Sequence, residues 1–389
     1  MTTTPEAAER LLFDLVRIDS VTPWLIPGAV GEGEIARFIA DWCADLPVDV
    51  TIEDVEPGRA NTLVLLRGTG GGRTLCVNAH ADTVGYANWG PEALVPRRDG
   101  DRIVGRGAAD DKAGVTCALL ALRSIVESGV RLKGDLLLAL VADEEGASIG
   151  TSDLVRRHPM DATIIVEPDE LGKMITEHQG FGWVDVVAHG RPAHGSAPEI
   201  GVDAIVGLAE IVVGLDRLDR EVYRANPDPL NGLTVFHTGT IEGGTDYATY
   251  PGWARLGIEI GTQPGETLAD RVREIEGIIA EVMARRPGFS AEVHVALERD
   301  PFTGSRDSEI ARVLSAASER VDGRPLVAAG MNAWADSGLT QGAGIPTVMF
   351  GPLGGNFHAP DEWVSLDEIV RATAILEGAV VGYLGVAEG

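Results

Sequence analysis

The sequence predicts an α/β fold: a main domain with a largely parallel central sheet flanked by helices, interrupted by an inserted ferredoxin-like α+β domain. Three observations predict it. Helical and strand-like segments alternate over the first 178 residues, the order that builds parallel sheets. Two runs, LLLALVA from Leu136 and ATIIVEP from Ala162, are almost continuously apolar, as strands covered on both faces must be. Between residues 179 and 299 the order becomes strand, helix, strand, strand, helix, strand, a compact split unit. At 389 residues the chain exceeds one ordinary hydrophobic core. Residues 1–178 and 300–389 are therefore assigned to the main domain and 179–299 to the insert.

Each element has its own signal. Residues 5–18 place Leu11, Leu12, Leu15 and Val16 on one helical face, with Pro5 near the start. A Pro/Gly-marked loop leads to a second amphipathic helix carrying Ile35, Phe38, Ile39 and Trp42. VDVTI from Val48, TLVLL from Thr62 and TLCVNAHAD from Thr74 read as strands by β-branched content and punctuation. Gly114–Val130 reads as a helix. In the insert, strands are expected from Trp183, Leu233, Trp253 and Ser290, with helices over Val202–Leu218 and Glu266–Met283. From about Asp300 the alternation returns, with PTVMFGP from Pro346 the most strand-like run.

Composition excludes several function classes. With 59 acidic against 32 basic residues the net charge is −27. Nucleic acid and anionic membranes are poor partners for such a surface. Cys43, Cys76 and Cys117 show neither disulfide nor zinc-finger spacing. The N-terminal stretch carries acidic residues where a signal peptide needs an apolar core, and no segment reaches the ~18 apolar residues of a membrane helix. A cytoplasmic location is the expectation.

The chemistry-bearing residues cluster in a pattern. GRGAADDKAG (105–114) has the glycines of a phosphate loop but places Asp110 where the dinucleotide fingerprint needs glycine, and follows Lys112 with Ala113. A carboxylate there suits a cation. Apolar strands end in His80 and Asp82, in Asp143, Glu144 and Glu145, and in Glu167, with His358 in FHAPDE (357–362). Gathering such carboxylates is costly without cations. Carboxylate plus imidazole suits zinc, with manganese or cobalt as alternatives. In His80-Ala81-Asp82 alternate side chains share one side, so Asp82 can fix the tautomer of a metal-bound His80. Glu144 and Glu145 point to opposite sides of an extended segment, so that one can ligate while the other serves as general base. Asp110, with two oxygens, can bridge two ions.

HADTV (80–84), GRGAADDKAG, DEEGASIGT (143–151), VEPDE (166–170) and FHAPDE resemble, in order and spacing, the metal motifs of one family of dinuclear zinc metallohydrolases. Acetylornithine deacetylase, succinyl-diaminopimelate desuccinylase, aminoacylase and glutamate carboxypeptidase belong to it. The resemblance implies that the main domain is catalytic and the insert is a lid and dimerisation domain. It implies two divalent metal ions, one held by His80 and Glu167, the other by Glu145 and His358, with Asp110 bridging. Glu144 would be the general base acting on metal-activated water, and Asp82 the partner of His80. It further implies a cis peptide at Asp110–Asp111 and an oxyanion-binding role for His194, often delivered across a homodimer interface. Asp336 in NAWADSG matches a pocket-shaping position.

The expected activity is removal of an acyl group from an N-acyl amino acid or related small amide. A dipeptidase or carboxypeptidase and a catalytically silent metal-binding homologue are the alternatives. Two departures bear on substrate. Ala248 stands near a position where family members carry Asn, and Ile260 and Gly261 stand where many carry a carboxylate-binding Arg. Arg255, on the same strand, is the candidate replacement. His158, His189, His237 and His294 are expected to be structural; His178 could be a hinge or a pocket wall.

Overall fold

The computed structural model describes residues 3–387; the outermost residues of the two expected main-domain segments, 1–2 and 388–389, lie outside that range. The chain forms two compact units. Unit 1 comprises the chain up to Thr176, then Gly304–Ala328 and the segment from Leu339 onward; unit 2 comprises Glu177–Thr303 and Ala329–Gly338.

Unit 1 opens with helix α1 (Pro5–Val16), capped by the Thr4 hydroxyl and started by Pro5, whose fixed φ suits a first turn. Its Leu11, Leu12, Leu15 and Val16 are buried, as their spacing requires. Helix α2 (Gly33–Trp42) and strands β1 (Asp49–Glu56), β2 (Arg59–Leu66) and β3 (Thr74–His80) follow. Helix α3 (Lys112–Glu127) is buried from Lys112 through Leu122, which is why it lacks an amphipathic pattern. Strand β4 (Asp135–Val141), helix α4 (Ile149–Arg157), strand β5 (Ala162–Val166) and strand β6 (Lys173–His178) complete this part.

Unit 2 runs through β7 (Gly180–His189), α5 (Ala204–Leu218), β8 (Phe236–Gly243), β9 (Trp253–Thr262), α6 (Leu268–Arg285) and β10 (Ser290–Arg299). The strands form an antiparallel sheet in the order β8-β9-β7-β10. Val184, Val186, Leu256 and Ile258 alternate inward to a core shared with Leu208, Ile211 and Ile275 of the helices. The chain then re-enters unit 1 with α7 (Glu309–Asp322), β11 (Thr347–Phe350) and α8 (Leu366–Leu384).

The large sheet of unit 1 has the order β1-β2-β4-β3-β5-β11-β6. Its centre, β4, β3, β5 and β11, is parallel, and both margins are antiparallel. The expected parallel sheet is thus its central part. β4 and β5 are buried along nearly their whole length, as their unbroken apolar runs indicate. Because β3 and β4 run in parallel with His80 opposite Val141, their carboxyl ends stop at one level. Ligands in such sheets bind outside those ends.

A small second sheet escaped the sequence reading. Arg97–Asp99 pairs with Arg102–Val104, which pairs with Trp363–Ser365, which pairs with Gly354–Gly355. Strands of two or three residues carry no periodicity to read. Their effect is large: the strand before the GRGAADDKAG loop lies beside the hairpin that carries His358.

Candidate metal centre

Five predicted ligands converge in unit 1. His80 is the last residue of β3, Glu167 follows β5 directly, and Glu145 lies in the turn after β4. Asp110 and His358 come from the two loops joined by the small sheet. The ligand atoms form two overlapping triads, His80–Asp110–Glu167 and Asp110–Glu145–His358, each within 4.8 Å. Asp110 belongs to both. Its Oδ1 stands 2.9 Å from His80 Nε2 and its Oδ2 3.2 Å from His358 Nε2. His358 Nε2 is also 3.0 Å from Glu145 Oε2, and His80 Nε2 is 3.8 Å from Glu167 Oε1.

Electrostatics agree with a cation site. Burial disfavours a charged His80, yet Glu167, Asp110 and Asp82 outweigh it and raise the imidazole well above its ordinary range. Hydrogen bonds with Asp110 and Glu145 lift His358 to about 10. Burial and the charge of Asp110 push Glu145 up to about 7. Burial would also raise Asp110, but the two imidazoles win and hold it low. Glu145 Oε1 is buried without a hydrogen-bond partner, the state of an oxygen awaiting an ion. Two imidazoles with three carboxylates form a donor set that zinc, cobalt and manganese accept.

Asp82 stands beside His80, as expected, and has a second role. The Nδ1 of His80 bonds to the main-chain carbonyl of Asp82 at 3.1 Å, with the carboxylate at 3.5 Å. A carbonyl can only accept, so Nδ1 donates to it; the Asp110 carboxylate also only accepts, so the 2.9 Å contact is donated by Nε2–H, a proton that a bound metal would replace. The Asp82 carboxylate also accepts the backbone N–H groups of Glu144 and Glu145 at 3.1 and 3.2 Å. It therefore orients the turn that carries both glutamates. Glu144 is half-buried beside the candidate ligand Glu145.

The loop under Asp110 is tightly built. Gly107 has φ +73°, and a Cβ on Gly114 would collide with the Asp111 carboxylate and the Val166 carbonyl. The Asp110–Asp111 peptide is cis. Asp111 caps α3 through Gly114 N–H at 2.9 Å and accepts His80 N–H at 3.2 Å, which joins loop to strand. Lys112 is buried, donates to the Ile18 carbonyl at 2.7 Å and is pushed down to about 8 by that burial.

Two supports were not singled out from sequence. Glu362, inside the quoted FHAPDE motif, accepts from Arg106 at 2.7 Å and from the N–H groups of Gly107, Ala109 and Asp110 at 3.1, 3.0 and 3.1 Å. All four bonds fall on the loop that presents Asp110. Arg59 bonds Glu32 at 2.6 Å, Asp143 at 2.8 Å and Thr22 at 3.0 Å, all buried. Asp143 has φ +67° and accepts Ala147 N–H at 3.0 Å, so Arg59 fixes the residue preceding Glu144. Their signal was weak: isolated Arg59 and Glu32 lie in no motif.

The remaining predicted residues lie in unit 2. His194 is exposed; its Nδ1 accepts the Ser196 N–H at 3.2 Å, which in the neutral ring places the proton on Nε2. Asp336 is buried at 1% exposure. Arg255 pairs with Asp185 at 2.8 Å and with Glu242 at 3.5 Å, so its fork is already engaged by carboxylates. His178 is buried, with Nδ1 donating to the Gln179 carbonyl and Nε2 2.7 Å from the Ser337 hydroxyl; burial pushes it down to about 4.

Strand-end carboxylates and imidazoles on a half-parallel sheet define a class, the α/β metal-dependent hydrolases. Within it, the chain belongs to peptidase family M20/M25/M40, whose sequence profile matches residues 76–381. It is 27% identical to the N-formyl-4-amino-5-aminomethyl-2-methylpyrimidine deformylase of Bacillus subtilis, over 92% of this chain and 91% of the relative. It is 29% identical to the acetylornithine deacetylase of Myxococcus xanthus, over 86% and 87% of the two chains. The fold matches a tripeptidase from Staphylococcus aureus with a TM-score of 0.82 at 20% identity, covering 98% of this chain and 100% of that one. The protein is accordingly a hydrolase of amide or peptide bonds. Among the described residues no helix is long and apolar enough to cross a membrane.

Proposed function

We propose that the protein is a dinuclear zinc amidohydrolase that removes an acyl group from an N-acyl amino acid or related small amide. One observation carries the reading: Asp110 offers one oxygen to each of two ligand triads, with Glu144 adjacent to the ligand Glu145. His80, Glu167 and Asp110 would hold one ion, and Asp110, Glu145 and His358 the other. Bound there, the ions would polarise the amide carbonyl and lower the pKa of a water. Glu144 takes the proton of the attacking water and passes it to the leaving amine as the C–N bond breaks. Asp82 keeps the glutamate turn in place through two backbone bonds. His194, whose Nδ1 accepts the Ser196 N–H so that Nε2 can donate, serves as the oxyanion donor, by the family's arrangement in a homodimer.

The lid strand offers no free arginine fork to an α-carboxylate, so recognition of the substrate does not depend on one. Ile260 and Gly261 cannot form a bidentate fork, and Arg255 is occupied by Asp185 and Glu242. The deformylase relative is named for acyl removal from a pyrimidine amine, whereas the deacetylase relative is named for acetylornithine, which carries an α-carboxylate. The test is a screen of zinc-reconstituted protein on N-formyl and N-acetyl amines, their α-carboxylate counterparts, and dipeptides. Acyl amines should be hydrolysed, with carboxyl-amidated versions tolerated within about tenfold, since no carboxylate fork is lost. Exclusive cleavage of dipeptides bearing a free carboxylate would overturn the assignment.

A further inference from the structure

The sheet of unit 2 has one face packed on α5 and α6 and one face free of helices. On the free face, Phe181 and Trp183 alternate outward from β7, and Glu259 of β9 is the direct cross-strand partner of Trp183. The segment 332–334 folds over this end. Trp334 meets Phe181 edge-on, with ring centroids 5.8 Å apart at 77°, and Phe181 meets Trp183 at 5.7 Å and 52°. Together with Gln179 and Asn332 they line a cavity of about 290 Å³, near the small end for ligand sites.

The wall chemistry narrows the occupant. Glu259 is the one ionisable group in the lining, and no Lys or Arg lines it. Its Oε2 accepts the Trp183 indole N–H at 2.9 Å, and no basic side chain pairs with it among the described residues. The Gln179 amide is consumed internally: it donates to the Leu233 and Asn332 carbonyls and accepts from Val235 N–H. The Asn332 side-chain amide is the one uncharged polar side chain of the lining, among the described residues, left to a ligand. Beyond it, the lining offers three aromatic rings and one negative charge. Aromatic faces attract cations through the ring quadrupole, and more strongly when water is excluded. The Arg299 guanidinium, outside the lining, already stands 5.8 Å from the Trp334 centroid.

We propose that this cavity binds a small alkylated ammonium group. Alkylation matters because the single carboxylate cannot satisfy three N–H donors, whereas methyl groups spread the charge over the rings. A neutral apolar group is the competing occupant, and the experiment separates them. The full chain is titrated calorimetrically with choline and with its uncharged carbon isostere, 3,3-dimethylbutan-1-ol. Physiological ionic strength screens diffuse attraction to the acidic surface. Choline should bind saturably at one site, and the alcohol about tenfold more weakly or worse. Glu259→Gln and Trp334→Ala should each weaken choline about fivefold or more, with the circular dichroism of Glu259→Gln unchanged. Equal binding of the two ligands would make the cavity merely apolar and overturn the proposal. Absence of saturable choline binding, or binding indifferent to Glu259→Gln, would overturn it as well.

Discussion

Replacing Glu362 by Gln should weaken metal binding although Glu362 is not a ligand. The wild-type carboxylate accepts two bonds on each oxygen: Ala109 and Asp110 N–H on Oε1, Arg106 and Gly107 N–H on Oε2. Glutamine has one acceptor oxygen, so its NH₂ must face two donors. If it faces Ala109 and Asp110, two N–H groups beside the metal bridge lose their partner, at about 1–3 kcal/mol each. If it faces Arg106, a guanidinium at 1% exposure loses its counterion, and breaking such a pair costs about 3–5 kcal/mol. Either way the loss is roughly 2–6 kcal/mol. Part of that falls on Asp110 placement, where supporting shells typically change affinity about 10–100-fold. Denaturant unfolding of the metal-free chain would measure the first quantity, and zinc titration the second. Wild-type stability together with wild-type zinc affinity would refute the claim that this carboxylate holds the bridge in place.

Other outcomes follow from the same geometry. Glu144→Gln should retain its full metal content and lose about 10²–10⁴-fold in turnover, measured by elemental analysis beside initial rates; loss of metal would contradict its role as base. Arg59→Met should strand Glu32 and Asp143 as buried charges and cost about 3–5 kcal/mol in urea unfolding, whereas less than about 1 kcal/mol would deny it the clamping role. His178 supplies a pH signature. Its folded pKa of about 4 lies below the unfolded value, so the unfolded chain binds the extra proton between the two. Stability from this residue is complete above about pH 6.5 and is lost as pH falls toward 4, at roughly 1.4 kcal/mol per unit. His178→Gln should flatten that part of the urea-derived profile, and an unchanged slope would reject the assignment.

Much of the fold was legible because hydrophobic period maps directly onto packing. The alternating run of β7 and the continuous run of β4 each describe the faces that are covered. The candidate ligands were legible for a related reason: each stands at a strand end or in a glycine-punctuated loop, where a cluster of ionisable residues needs explaining. What escaped depends on pairings that no local window contains. The small sheet joins segments 250 residues apart through strands too short for periodicity. The Arg59 clamp assembles residues from four places in the chain. The Asp82 carboxylate was legible as a nearby partner of His80, yet its hydrogen bonds go to the Glu144 and Glu145 backbone, because the carbonyl of the same residue reaches the imidazole first.

The most direct test of the central claim is the zinc stoichiometry of the chelator-stripped protein and of Asp110→Asn, each measured by titration with elemental analysis. The account predicts two zinc ions per wild-type chain. Asp110→Asn, which keeps the shape but replaces one bridging oxygen by a donor, should lose at least one ion and almost all amide hydrolysis. One ion or none in the wild type, or two ions and normal turnover in Asp110→Asn, would contradict it.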